Sequence, residues 1–469
     1  MKKGHEFKAT VESLAYGGQG VCRVGDFVIF VRDALPGQTV RARVVRKKSS
    51  YAEARILEVL SESPFEVEPR CGHFGACGGC LLQHLEYSKQ CDEKHAQVND
   101  LLQRVGGVKH FDVLPTLAAE QYYHYRNKME FSFSRNRWLT PEEIDSGETF
   151  EQNAVYLGLH ARGFYNKVID LQECHLTHPI AVQILQEIRN IAKQSELPVY
   201  STQDHQGFWR FLVVRPSLNT DDLMVNVVTF EYNEQIAKEL ERALINKFPQ
   251  ISSLINGITT SKSSVAYTER EVMLYGKSTI EENLGNYRFQ ISANSFFQTN
   301  TQQAKRLYDI ALEFAEFTGN EHVYDLYCGA GSISIYISEH VNRLVGFESV
   351  KSAVENANKN CELNHVENCT FVLGDLKDVL RDTKTVIAEY GRPDVIILDP
   401  PRGGMHPKTV EAVLNLYPKR IVHVSCNPAT MARELNAFCE QAYTLTKAQP
   451  VDMFPHTAHI EVVAQLIRK

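Results

Sequence analysis

The chain has 469 residues, of which 43% are hydrophobic and 23% charged, and a formal net charge of −7. That length predicts about three domains, and no window approaches the roughly 20 apolar residues a membrane helix needs. The acidic balance argues against a nonspecific nucleic-acid binder, although phosphates respond to local charge rather than to the global sum.

The N-terminus, Met1-Lys2-Lys3-Gly4-His5-Glu6, leads into no apolar segment. No signal peptide is expected, and the protein reads as cytoplasmic. Without an export signal, the eleven cysteines are expected as core thiols, metal ligands or reactive groups rather than disulfides.

Residues 7–59 alternate apolar and polar side chains, as in Phe27-Val28-Ile29-Phe30-Val31, and are cut by Gly17-Gly18-Gln19-Gly20, Gly25-Asp26 and Leu35-Pro36-Gly37. Several short strands in so little chain predict a small OB-like β-barrel over residues 1–60. Arg32, Arg41, Arg43, Arg46, Lys47, Lys48 and Arg55 form its clearest basic cluster, set against only Asp33 and Glu53 nearby. This basic cluster is either a solvated face or a surface that tracks phosphates.

Residues 61–285 form a central α/β segment. It opens with Cys71-x5-Cys77-x2-Cys80 among glycines. Thiolates this close favour a soft metal or an iron–sulfur cluster, and spacing alone leaves zinc an equal alternative. Cys174 is the best fourth ligand and Cys91 the second. A helix is expected over 94–108, closed by Gly106-Gly107, and strands over 211–214 and 224–228. Residues 138–161 hold Glu142, Glu143, Asp145, Glu148 and Glu151 without a lysine or arginine, an expected acidic surface loop away from any RNA.

Over residues 286–469 helices alternate with short apolar strands at 322–327, 343–348, 370–373, 394–398 and 420–425, the pattern of a doubly wound parallel sheet. The first strand runs into Cys328-Gly329-Ala330-Gly331, and the next three end at Glu348, at Gly374-Asp375 and at Asp399-Pro400-Pro401-Arg402. Ligands of open α/β sheets bind at such strand ends. Glu348 is placed to accept from ribose hydroxyls, and Asp375 to meet an adenine amino group. This ladder resembles the S-adenosylmethionine site of class I methyltransferases.

Cys426 ends the fifth strand, in Ser425-Cys426-Asn427-Pro428, at the mouth of that site, where a reactive thiolate is useful. Uracil chemistry calls for such a group. Carbon 5 of uracil is too weak a nucleophile until a thiolate adds to carbon 6, and a base must then remove the carbon-5 proton. His459 and Glu461 lie two apart, so on a strand they share one face. Glu461 opens the apolar run Val462-Val463-Ala464, where burial raises a carboxyl pKa and makes a better base.

Together with Asn294-Ser295-Phe296-Phe297-Gln298 and Pro455-His456-Thr457-Ala458-His459-Ile460-Glu461, these motifs resemble the signature series of the RNA 5-methyluridine methyltransferase family. The resemblance implies S-adenosylmethionine bound by Gln298, Tyr327, Ser332, Glu348 and Asp375. It also places Asp399 at the border of cofactor and reaction, Cys426 as nucleophile and Glu461 as base. The N-terminal barrel looks like a TRAM domain. Members with that barrel often carry a four-iron four-sulfur (4Fe–4S) cluster, which implies Cys71, Cys77, Cys80 and Cys174 as its ligands. They act mostly on large-subunit (23S) ribosomal RNA, with the T-loop of transfer RNA as the alternative. Tyr125-Arg126-Asn127-Lys128 also resembles the family and is expected to touch RNA. A monomer is expected.

Overall fold

The structure is a computed structural model, and it describes residues 2–147 and 154–469. The first sixty residues form a six-stranded barrel-like sheet, from Glu6–Thr10 to Tyr51–Ser61. Its alternating side chains close over Val11, Cys22, Ile29, Val31, Val40, Val44 and Ala54. The basic cluster is largely paired on its surface. Arg41 and Arg43 share Glu6, Arg41 also meets Glu58, and Arg46 meets Glu53. No ion pair among the described residues includes Lys47, Lys48 or Arg55. The sequence reading underestimated the neutralising charge because Glu6 and Glu58 come from strands flanking the arginines' own.

The central segment builds a seven-stranded sheet in which Trp209–Pro216 and Leu223–Thr229 are buried throughout. Helices Pro179–Gln194 and Glu234–Lys247 cover one face through Ile184, Leu185, Ile188, Leu240 and Leu244. The expected acidic loop is only partly a loop. It includes the short helix Pro141–Asp145 and the strand Tyr156–His160, and Glu143 pairs with Arg137. Glu148 and Glu151 lie outside the described residues.

The C-terminal sheet has seven main strands: β1 His322–Leu326, β2 Arg343–Glu348, β3 Cys369–Leu373, β4 Val395–Leu398, β5 Arg420–Ser425, β6 Tyr443–Val451 and β7 Glu461–Arg468. Their order is β3-β2-β1-β4-β5-β7-β6, and β7 alone runs antiparallel to its neighbours. Strands covered on both faces read as apolar runs, which is why Val395-Ile396-Ile397-Leu398 was legible. Reversal of β7 brings the start of that strand to the edge where β1 to β5 end.

The segment after the cysteine cluster belongs spatially to this sheet. Helix Tyr87–Arg104 starts earlier than expected and buries Val98 and Leu102 beside Met431, Leu435 and Phe438. The short strand Asp112–Val113 then pairs with β6 at the sheet edge. The anticipated boundary at residue 285 falls at Gly285, which has a left-handed φ of 61° in the turn of the hairpin Ile280–Leu284/Tyr287–Ile291. No helix among the described residues is long and apolar enough to cross a membrane.

Candidate active site

The end of β1 supplies a cradle. Tyr327, Gly329 and Gly331 all have positive φ, at 69°, 55° and 77°. A non-glycine residue at such an angle is uncommon, so Tyr327 is held there by its surroundings, including a bond from its N–H to the Phe347 carbonyl at 3.0 Å. A side chain at Gly331 would press on Phe371 and Ala357 at about 3 Å. Glu348, at the end of β2, accepts from the Gly329 N–H at 3.1 Å and from the Ser349 and Val350 N–H groups. It therefore ties the glycine turn to the next loop. Ser332 opens the following helix and shares a hydrogen bond with Tyr308 at 2.9 Å.

Asp375 is exposed and caps the helix Leu376–Val379, with Lys377 on its carboxylate at 2.7 Å. That contact and the Lys377 N–H hold its pKa below the usual value. Gln298 is half-buried, and its carbonyl accepts from Asn127 Nδ2 at 2.9 Å. Asn127 Nδ2 also donates to Thr301 Oγ1 at 2.8 Å, and its N–H to the Thr299 carbonyl. The stretch expected to touch RNA is therefore internal in part. Tyr125 is buried with its hydroxyl on the Pro455 carbonyl at 3.1 Å, and Asn127 is buried beside it. Both residues clamp the two motif segments together.

The reaction end lies at β4, β5 and β7. Ser425 pairs with Val462, so Cys426 and Glu461 follow as neighbours at the sheet edge. Cys426 precedes Asn427, which caps the helix Pro428–Gln441 by accepting from Ala429 and Thr430 N–H groups. A helix N-terminus favours negative charge on the thiol. Burial nevertheless pushes the Cys426 pKa up to about 11, helped by Glu461 and Asp399 and opposed by Arg402. Burial, with Asp399 next to it, holds the Glu461 carboxyl well above the usual range, and Arg402 pulls it down. Asp399 is pushed up to about 7 by burial and by Asp325.

Asp325 and Arg402 are the residues the sequence reading passed over. Asp325 is fully buried on β1, with a pKa raised to about 6 mainly by burial. Ser334 donates to one oxygen at 2.5 Å, and the other has no hydrogen-bond partner. Its signal was the acidic residue inside the apolar strand Val323-Tyr324-Asp325-Leu326. Arg402 was quoted only as part of a loop. That loop is anchored by Asn427 Nδ2 on the Arg402 carbonyl at 3.0 Å and by Glu434, which accepts from the Met405 N–H. His459 was expected to share a strand face with Glu461, but β7 begins only at Glu461.

Cys71, Cys77, Cys80 and Cys174 do converge, lining one pocket of about 90 Å³ with Phe74, Met129 and Leu159. Burial raises all four thiol pKa values, to about 11 for Cys77 and about 12 for Cys80. Among the described residues no group of three or more His, Cys, Asp or Glu side chains is arranged to hold a metal ion. Cys91 is elsewhere, in the helix Tyr87–Arg104, where its carbonyl accepts from Thr116.

Comparison with known proteins bears on both ends of the chain. Residues 1–57 match the TRAM domain, and residues 217–469 match the tRNA (Uracil-5-)-methyltransferase family. A Porphyromonas gingivalis protein described as an uncharacterized RNA methyltransferase is 43% identical, over 98% of this chain and 99% of its own. One from Chlorobaculum tepidum with the same description is 44% identical over 92% and 89%. Among solved structures, the Pyrococcus abyssi tRNA (uracil-54, C5)-methyltransferase in complex with S-adenosyl-L-homocysteine is similar at a TM-score of 0.74 and 28% identity. That match covers 98% of this chain and 99% of the other.

Proposed function

The chain belongs to the tRNA (uracil-5-)-methyltransferase family, and we propose that it methylates carbon 5 of uridine in 23S ribosomal RNA with Cys426 as nucleophile and Glu461 as base. It is an S-adenosylmethionine-dependent RNA methyltransferase with an N-terminal TRAM domain. The observation that carries the mechanism is the pairing of β5 with β7, which puts a thiol and a buried carboxyl side by side.

S-adenosylmethionine, when bound, supplies the methyl group and a positive sulfonium centre. The glycine cradle after β1, Glu348 and the free oxygen of Asp325 offer donors and acceptors suited to it. The Cys426 sulfur adds to carbon 6 of the uracil, which moves electron density to carbon 5. Carbon 5 takes the methyl group, Glu461 removes the proton there, and the thiol is expelled. Burial, with Asp399 beside it, raises the Glu461 pKa, which makes its carboxylate a stronger base for that proton. Arg402 favours both the thiolate and the later carboxylate.

The four clustered cysteines are read as ligands of a 4Fe–4S cluster that staples residues 71–80 to residue 174. Zinc needs four sulfurs each about 2.3 Å from one point, whereas in a cluster each thiolate binds a different iron and the sulfurs stand further apart. Four thiols lining one pocket suit a soft-metal site, and the family resemblance favours the cluster over zinc.

Transfer RNA is the second reading, favoured by the Pyrococcus enzyme, 99% of which, with 98% of this chain, is covered by the match. A nucleoside map of ribosomal and transfer RNA from cells with and without the gene separates the two. Loss of 5-methyluridine from ribosomal RNA is expected, and loss from transfer RNA alone would overturn that choice.

A further inference from the structure

The barrel reaches the reaction end of the C-terminal sheet. Its loop between Ser13–Leu14 and Gly20–Val24 turns through Ala15-Tyr16-Gly17-Gly18, closed by the Gly18 N–H on the Ala15 carbonyl at 2.9 Å. Gly17 and Gly18 have φ of 98° and 85°, which only glycine takes without strain. A Cβ at Gly18 would stand 3.4 Å from the Ala458 Cβ, so the loop tip lies directly on the motif segment that leads to Glu461.

The loop is fixed there from both sides. The Leu14 N–H donates to the buried Glu93 carboxylate at 2.7 Å, and Leu14 packs with Leu35, Leu82 and Leu85. Leu81 and Leu82 N–H groups in turn bind the His456 carbonyl at 2.9 and 3.0 Å. Barrel, cysteine loop and motif segment therefore form one packed corner above the strand ends.

Tyr16 sits at the tip of this corner and keeps 37% of its surface exposed. It is close enough to the reaction end for Cys426, Arg402 and Glu461 to act on its phenol electrostatically. Among the described residues its hydroxyl makes no hydrogen bond within the protein, so a polar donor is left free at this tip. A uracil seated on Cys426 needs a wall on its far side and a donor for a carbonyl oxygen.

We propose that Tyr16 is that wall: a base-contacting residue contributed by the barrel, whose ring closes the uracil site and whose hydroxyl donates to the target nucleotide. The proposal rests on the uridine-methylating reading above. Its consequence is that the barrel takes part in seating the base and is more than a separate RNA grip.

The test uses the full chain with an RNA substrate containing the target uridine, and compares wild type with Tyr16→Phe and Tyr16→Ala. Single-turnover methyl transfer, RNA affinity and S-adenosylhomocysteine affinity are measured for each, with melting curves as the folding check. Loss of one hydrogen bond predicts about a tenfold slower transfer in Tyr16→Phe at saturating RNA. Tyr16→Ala is expected to be slower again, and S-adenosylhomocysteine affinity is expected to be unchanged in both. Transfer in Tyr16→Ala within twofold of wild type would overturn the proposal. So would a loss that appears only as weaker RNA binding and vanishes at saturation. If wild type itself places no methyl on uridine, the functional reading fails instead.

Discussion

Cys426 and Glu461 are brought together by strand reversal: Ser425 at the end of β5 pairs with Val462 near the start of β7, so the residue after Ser425 and the residue before Val462 meet at the same sheet edge. The two positions are 35 residues apart in the chain. A parallel β7 would have carried Glu461 to the opposite edge. The antiparallel strand is therefore what assembles nucleophile and base.

Replacing Glu461 by glutamine should stall the reaction after methyl transfer. The carbon-5 proton then stays in place and the thiol cannot leave. Turnover should fall by about 10²–10⁴-fold, the usual contribution of a general base. A protein–RNA adduct that survives denaturing electrophoresis should accumulate. Normal turnover with no adduct would remove Glu461 from this role.

Arg402 lowers the thiol pKa of Cys426 by hydrogen bonding and by charge. The Arg402→Gln variant should therefore hold the thiol above its present value of about 11. Alkylation of Cys426 by iodoacetamide, which needs the thiolate, should rise with pH along a curve displaced to higher pH. One unit of displacement slows alkylation about tenfold at pH 8. Coincident curves would mean that Arg402 does not tune the thiol.

Asp399 should cost the empty protein stability. Below its ordinary pKa of 3.8 the carboxyl is protonated in both folded and unfolded chains and carries no penalty. As pH rises towards its folded value of about 7, only the unfolded chain ionises readily, so stability falls, and above that value the penalty is complete. Asp399→Asn should raise the melting temperature at pH 8, by on the order of 2–4 kcal/mol of stability, and leave it nearly unchanged at pH 4. Equal effects at both pH values would contradict the assignment.

Asn127 should matter to the cofactor end without touching RNA. It is buried and holds the Gln298 carbonyl and Thr301. Asn127→Ala leaves those acceptors unpaired, at a cost of about 1–3 kcal/mol. Weaker S-adenosylhomocysteine binding with unchanged affinity for RNA is expected in calorimetry. Weaker RNA binding alone would return this residue to the RNA surface.

Cys174→Ser should lose iron and acid-labile sulfide, about four of each per chain in the anaerobically purified protein. A colourless wild-type protein containing zinc would refute the cluster.

Most of the sheet was legible because parallel strands buried on both faces are apolar runs, and β2 and β5 were read to their observed ends. Their terminal residues stood out as acids or a thiol interrupting those runs. The helix Tyr87–Arg104 was misjudged for a physical reason. Its missed first turns bury polar side chains: Gln90 donates to the Leu82 carbonyl and Glu93 accepts from the Leu14 N–H, so no apolar stripe marks them. Tyr125 and Asn127 read as a polar surface turn because nothing local shows that Pro455 and Gln298, far along the chain, cover them. Tyr16 was invisible for the same reason: its neighbours at the reaction end are more than 380 residues away.

The most direct test of the central claim is peptide mapping of the adduct formed with 5-fluorouridine RNA and S-adenosylmethionine. Fluorine at carbon 5 leaves no proton for Glu461 to remove, so the covalent intermediate persists after methyl transfer. The account predicts one cross-linked peptide, containing Cys426, and none from Cys426→Ala. An adduct on another residue, or methylated RNA from Cys426→Ala, would contradict it.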